Sequence, residues 1–214
     1  MSPRSSQPSL APLSARTAAK NLNAKVIFTG IIDEKRSKNI QTLGGEIVES
    51  VHDCTHLVTD KIRRTVKFLC AIAESKKIVA VSWVDGCHKM AAFIDEGTHA
   101  LLDPAVEKQY GFTLKESLRR SHEKKLFAGK KFFITPKTKP EISDMKEIVE
   151  SAGGVVVVAS PTTFDEDLLV ISCNEDSALW PKLTRLNYII HSNEVILTGV
   201  LVQHLDLKKH HLKS

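Results

Sequence analysis

Two periodicities alternate along the chain. Lys25–Phe28 is a short apolar run ending at Thr29-Gly30 and reads as a strand. A helical stretch follows and closes at Leu43-Gly44-Gly45, where a glycine suits the left-handed residue after a helix. Glu46–Val48 and His56–Thr59 read as further strands. In Thr65–Ser75, Val66, Leu69, Cys70 and Ala73 recur at the i, i+3, i+4, i+7 spacing of an amphipathic helix. Ile78–Val81 completes a set of four strands, and Ser82-Trp83 opens a helix to about Ala92.

The same order then returns. Lys131–Ile134 is a strand ending at Thr135-Pro136. Met145, Ile148, Val149 and Ala152 mark a helix face closing at Gly153-Gly154. Val155–Val158, Leu168–Ile171 and Tyr188–Ile190 are strands, and Asn193–Gln203 is a final helix. The offset between matching positions grows slowly, from 106 (Thr29 to Thr135) through 109 (Gly44 to Gly153) to 112 (Trp83 to Val195), as small loop insertions would make it. A period near 110 is too long for a solenoid repeat, so the chain is two domains. Alternating strands and helices imply an α/β fold, each unit a four-stranded parallel sheet flanked by helices. The expected layout is a disordered tail at 1–24, a first domain at 25–103, a helical linker at 104–129 with a helix over Thr113–Lys125, a second domain at 130–205 and a flexible tail at 206–214. Domains this small gain from burying a face against one another.

Composition narrows the class. With 42% hydrophobic and 26% charged residues the chain is ordinary for a globular protein, and no apolar run is long enough to span a bilayer. The formal charge is +5, but Arg4, Arg16 and Lys20 place +3 in an acid-free leader, leaving +2 for the remainder. That balance disfavours a general nucleic-acid binder. The leader shares composition with a mitochondrial transit peptide but has no amphipathic apolar face. Cys54, Cys70, Cys87 and Cys173 form no CxxC pair and read as reduced thiols.

Enzymatic signatures are missing. No GxGxxG or GxxxxGK[ST] follows a strand, and Gly129-Lys130 lacks the rest of a phosphate-binding loop. Cys54 and Cys173 have Asp60 and Leu179, not Arg, six residues on, and no GxSxG occurs. His52, Cys54 and His56 alternate on a strand, yet their spacing is tight for a metal and no fourth ligand is evident. The chain is therefore expected to have no catalytic residues, no metal and no cofactor.

Anion binding fits better. Ligands of a parallel sheet sit beyond the carboxyl ends of its strands, where Thr29 and Gly30 stand. The Thr hydroxyl can donate, Gly lets its N–H approach closely, and Lys67 adds a mobile charge at a helix N-terminus. These three are the candidate phosphate-binding residues. The second copy has Pro136, without an N–H, after Thr135, so one phosphate site is expected. Lys61 and Arg63 read as a solvated basic face; Trp83, Phe68 and Leu69 read as core.

The ordered set Phe28-Thr29-Gly30, Leu43-Gly44-Gly45, Cys54-Thr55-His56-Leu57-Val58, and Trp83 with Cys87 resembles a BRCT domain, and the second unit a weaker copy with Val195 in the place of Trp83. Arg63-Arg64-Thr65-Val66-Lys67-Phe68-Leu69, Phe133-Ile134-Thr135-Pro136 and Leu197-Thr198-Gly199-Val200-Leu201 resemble tandem BRCT pairs of the DNA damage response over residues 25–205. The resemblance implies phosphoserine binding by Thr29, Gly30 and Lys67. It further implies that Arg64 fixes the peptide about three residues on, with Glu194 orienting Arg64 across the interface and Pro136 and Thr65 lining the groove. It implies a nuclear adaptor and a phosphorylated partner, such as a histone variant C-terminus or a repair protein. DNA binding and pure scaffolding are the alternatives, since some BRCT domains take those roles.

Overall fold

The computed structural model describes residues 24–31 and 33–212; the expected N-terminal tail, Ala24 apart, lies outside them. The first unit runs β1 (Lys25–Phe28), α1 (Glu34–Thr42), β2 (Glu46–Ile47), β3 (His56–Thr59), α2 (Val66–Ala73), β4 (Lys77–Ala80) and α3 (Val81–Met90). Two helices follow, α4 (Pro104–Tyr110) and α5 (Leu114–Glu123). The second unit runs β5 (Lys131–Ile134), α6 (Ile142–Ser151), β6 (Val155–Val157), β7 (Leu168–Ile171), a 3-10 turn into α7 (Trp180–Thr184), β8 (Ile190–His191) and α8 (Glu194–Val202).

The four strands of each sheet run parallel, with orders β2-β1-β3-β4 and β6-β5-β7-β8. Parallel strands are covered on both faces, which is why β3 is buried at every position. Thr29 N donates to Val58 O (3.1 Å) and Thr135 N to Ile171 O (2.9 Å), so the two threonines hold the same place at the exit of a central strand. The glycine pair after α1 divides its work. Gly44 takes φ +82°, and a side chain at Gly45 would meet Ile40 (2.7 Å) and Phe93 (2.8 Å).

Helix α2 is buried from Phe68 to Ala73. A helix apolar nearly all round needs cover on every side, and here it packs against α5, α6 and α8. Phe68, Leu69 and Ile72 join Met145, Ile148, Val149, Ile196 and Val200 in one core shared by both units. Lys125 ties the far ends together, its Nζ donating to Ala73 O at the end of α2 and to Ser151 O at the end of α6, both at 2.9 Å. Such contacts satisfy orphan carbonyls at helix C-termini.

Several boundaries differ from expectation. Ala24 is fully buried and its carbonyl accepts from Glu46 N (2.9 Å), so it belongs to the first sheet, not the tail. Tyr188 is not in a strand. Its hydroxyl donates to Thr163 O (3.0 Å) and accepts from Asp165 N (2.9 Å), holding the loop before β7. The segment 210–212 is no free tail either: it pairs antiparallel to the β8 edge, with Ser192 N to His210 O (2.9 Å) and Leu212 N to Ile190 O (2.8 Å). Helix α4 and the short α7 also go beyond the pattern read from sequence.

Candidate functional site

The exit of β1 and the start of α2 meet. Thr65 caps α2, its Oγ1 accepting from Phe68 N (3.3 Å), and lies 3.1 Å from Thr29 Oγ1. Thr29 is thus anchored through backbone and side chain, 5% exposed, with its hydroxyl at the mouth of the helix N-terminus. Gly30 follows in the left-handed region, φ +72°. Lys67, the second residue of α2, is exposed and makes no salt bridge among the described residues. Thr29, with Gly30 next to it, thus lies beside the helix N-terminus in whose first turn Lys67 stands, where free N–H groups and a partial positive charge favour an anion. Thr65, expected in the groove, has its hydroxyl engaged as the cap.

Arg63, half-buried at the surface, is engaged rather than free. Its guanidinium covers Gly30 so closely that a β-carbon there would fall 2.5 Å from Nη1 and 2.7 Å from Cζ. Nη1 donates to Thr59 Oγ1 (3.2 Å) and to Asp60, and Nη2 to Asp60 Oδ2 (3.1 Å). The charge run around it in sequence conceals this packing; Lys61 is exposed, as its polarity suggests.

Arg64 turns the other way, into the interface. Its Nη1 donates to Glu194 Oε2 (2.5 Å) and to Thr198 Oγ1 (3.2 Å), both on α8, and its Cζ lies 5.3 Å from the centroid of the Tyr110 ring, within cation–π range. Burial alone would raise the Glu194 pKa, but hydrogen bonds from Arg64 and Thr198 outweigh it and hold the carboxylate below its ordinary value. Thr198 stands one helical turn beyond Glu194, so the spacing alone could have placed it on the same face. Tyr110 carried no sequence signal. Pro136 is exposed in the loop from β5 to α6, which Asn193 Nδ2 ties to the start of α8 through Lys139 O (2.6 Å).

The matching place in the second unit is filled from within. Thr135 Oγ1 donates to Ser172 Oγ (2.9 Å), which also accepts from Trp180 Nε1 (2.8 Å). The buried Asp176 carboxylate accepts from Lys137 N (2.8 Å), so the loop after β5 already binds an anion of its own.

The remaining candidates disperse. His56 is fully buried, stacked on Trp83 at 4.5 Å and hydrogen-bonded to Thr55 and Glu96. His52 is instead exposed beside Glu74 (2.5 Å). Burial pushes the Cys54 thiol up to about 11 and Cys70 to about 12, far from the thiolates that nucleophiles and metals require.

Two like units, each a parallel sheet ordered 2-1-3-4 and joined through α2, α6 and α8, define a tandem BRCT architecture. The chain belongs to the BRCT family. Residues 125–211 match the BRCT domain model, and residues 8–104 match the model of the Regulator of Ty1 transposition protein 107 BRCT domain. Over 212 residues the chain is 38% identical to PAX-interacting protein 1 of Bos taurus, covering 93% of the chain and 22% of that protein. Over 195 residues it is 36% identical to Mediator of DNA damage checkpoint protein 1 of Rattus norvegicus, covering 90% of the chain and 15% of that protein. The chain thus spans under a quarter of these curated relatives. Among solved structures, the BRCT5-BRCT6 domains of S. pombe Brc1 superpose with a TM-score of 0.75 at 26% identity, covering 88% of this chain and 96% of that one. A complex of Rtt107p with a phosphorylated histone gives 0.66 at 15% identity, covering 90% and 93%, a likeness of fold.

Proposed function

We propose that this chain is a non-enzymatic, phosphoserine-reading adaptor module of the DNA damage response, acting in the nucleus. Thr29, Gly30 and Lys67 hold the phosphate. Arg64, oriented by Glu194 and Thr198, receives a carboxylate or main-chain carbonyl about three residues further on, and Pro136 lines the groove beside it. The partner is a phosphorylated histone C-terminus or a phosphorylated repair protein. The observation that supports this reading is the packing of Thr29 against Thr65, the cap of α2, with Lys67 in the first turn of that helix and Arg64 three positions before Lys67 on the same segment. The names of the relatives, and the histone complex of Rtt107p, support the choice of partner class.

The test is fluorescence anisotropy with a labelled peptide whose phosphoserine precedes a free C-terminal carboxylate by three residues. Its unphosphorylated and carboxyl-amidated forms, and Lys67→Met protein, stand beside it. Charge-assisted bonds of about 1.5–3 kcal/mol each suffice for a Kd on the micromolar scale. Loss of binding without the phosphate and with Lys67→Met supports the reading. Equal binding of the unphosphorylated peptide, or unchanged binding by Lys67→Met, sinks it.

A further inference from the structure

We propose that Arg63 is a fourth phosphate-binding residue, and that Asp60 competes with the incoming phosphate for its guanidinium. The inference rests on the phosphate site proposed above and adds to it a source of selectivity.

The geometry places a second cation against that site. The Arg63 guanidinium lies on the Cα of Gly30, the residue whose N–H is to meet the phosphate, with Nη1, Cζ and Nε all within 2.9 Å of where a β-carbon would stand. A side chain at position 30 would push the guanidinium from this place, and the left-handed φ of +72° favours glycine there in any case. In the structure the guanidinium is held by an anion already. Asp60 takes Nη1 and Nη2 in a fork, and Thr59 Oγ1 accepts at 3.2 Å. A carboxylate gripped in this way occupies the coordination that a phosphate oxygen pair would take, because guanidinium matches both bidentately. Asp60 is 43% exposed at its side chain, so it can turn to water when displaced, while Arg63, at 24%, keeps its seat.

Charge decides who wins. A phosphoserine carries about −1.5 to −2 near neutral pH, against −1 for a carboxylate. With Asp60 in place, Lys67, Arg63 and Asp60 sum to +1; with Asp60 turned away, the site presents +2, matched to a dianion. A single carboxylate on a ligand gains little by evicting another carboxylate, whereas a phosphate dianion gains a full neutralising pair. Asp60 therefore lowers affinity for every anion that must evict it, by the same displacement cost, while the uncovered Arg63 is worth more to a dianion than to a single charge. Arg63 widens the preference for phosphoserine over glutamate that Lys67 already gives, because each added cation is worth more to a dianion than to a single charge.

The experiment measures binding of three labelled peptides, alike but for phosphoserine, glutamate or serine at one position, to wild type, Arg63→Gln, Arg63→Lys, Asp60→Asn and the Arg63→Gln/Asp60→Asn double variant. Thermal melts check that each is folded. Arg63→Gln should weaken the phosphoserine peptide by about tenfold and leave the serine peptide unchanged. Arg63→Lys, which keeps the charge but not the fork, should fall between. Asp60→Asn should tighten both charged peptides, the phosphoserine one at least as much as the glutamate one, and leave the serine peptide unchanged. The double variant should match Arg63→Gln, since Asp60 acts only through Arg63. Wild-type affinity in Arg63→Gln beside failure of Lys67→Met overturns the proposal and spares the phosphate site. Weaker phosphopeptide binding by Asp60→Asn overturns it too, making Asp60 a support for Arg63. Failure of the wild type to bind the phosphopeptide sinks both.

Discussion

Arg64 and Glu194 face each other across the domain interface, and their removal should not be additive. Replacing Arg64 by Gln deletes the proposed contact to a ligand carboxylate, worth about 1.5–3 kcal/mol, or roughly 10- to 150-fold in Kd. It also strips Glu194 of its partner at 2.5 Å. The pair is partly exposed, 29% and 33% at the side chains, so its own contribution to stability is small, about 1 kcal/mol or less. The larger effect falls on the ligand. A lone Glu194 about 6 Å from the ligand carboxylate repels it by about 0.7 kcal/mol in bulk water and about 2.8 at an effective dielectric of about 20. Arg64→Gln should therefore bind the free-acid peptide worse than the Arg64→Gln/Glu194→Gln double variant does. Anisotropy titrations at low and physiological salt, with free-acid and amidated peptides, measure this; the rescue should shrink with salt. Two equal variants, or an amidated peptide that suffers as much as the free acid, would refute the reasoning.

Two further outcomes follow from the core and its buried imidazole. Each unit holds one tryptophan, Trp83 fully buried and Trp180 6% exposed, so variants keeping one or the other report on each half separately. Because α2 is shared, Phe68→Ala should lower the unfolding free energy read by each reporter by about the same 3–5 kcal/mol; a loss at Trp83 alone contradicts a common core. Burial holds His56 below its ordinary value despite the opposing hydrogen bond to Glu96, whose own carboxyl, raised by burial but lowered further by Lys77 and His56, sits at about 2. The unfolded chain takes up the histidine proton first, so stability should decline as pH falls below about 6.5, by at most about 1.4 kcal/mol per unit for that proton. Glu96 adds a further loss between 4.5 and about 2. Urea midpoints between pH 7.5 and 5.0 test the first part, and a His56→Gln protein with the same slope would contradict it.

What sequence revealed, and what it hid, follows from where each signal resides. The central strands were legible because parallel strands buried on both faces read as apolar runs, as Ile27, Leu57, Val58, Phe132 and Val170 do. The helix α2 declared itself by spacing, and the duplication by its drifting offset. Tyr188 misled because its ring is buried for the sake of a hydroxyl that holds a loop, a role periodicity does not encode. The strand partner of β8 at 210–212 is held by backbone bonds, which leave no side-chain pattern. Lys125 looked like one linker lysine among several, because the carbonyls it caps belong to two helices that meet only in space. At the site, Thr29, Gly30 and Lys67 followed from local chemistry, whereas Glu194 entered only through family resemblance. Arg63 was hidden by charged neighbours, its place over Gly30 being a matter of packing.

Arg64 and Lys67 flank the first turn of α2 on one unbroken stretch of backbone, while the groups that orient Arg64 come from α8 of the other unit. The backbone spacing of the two cations is thus written into one short stretch, Arg64 to Lys67, and does not change when the halves shift against each other. The chemistry opposite Arg64 can change at positions 194 and 198 without disturbing that separation. On the proposed reading the module is a gauge of fixed length with an exchangeable jaw: changes at 194 and 198 would alter the group read downstream of the phosphate and leave its distance from the phosphate as it is.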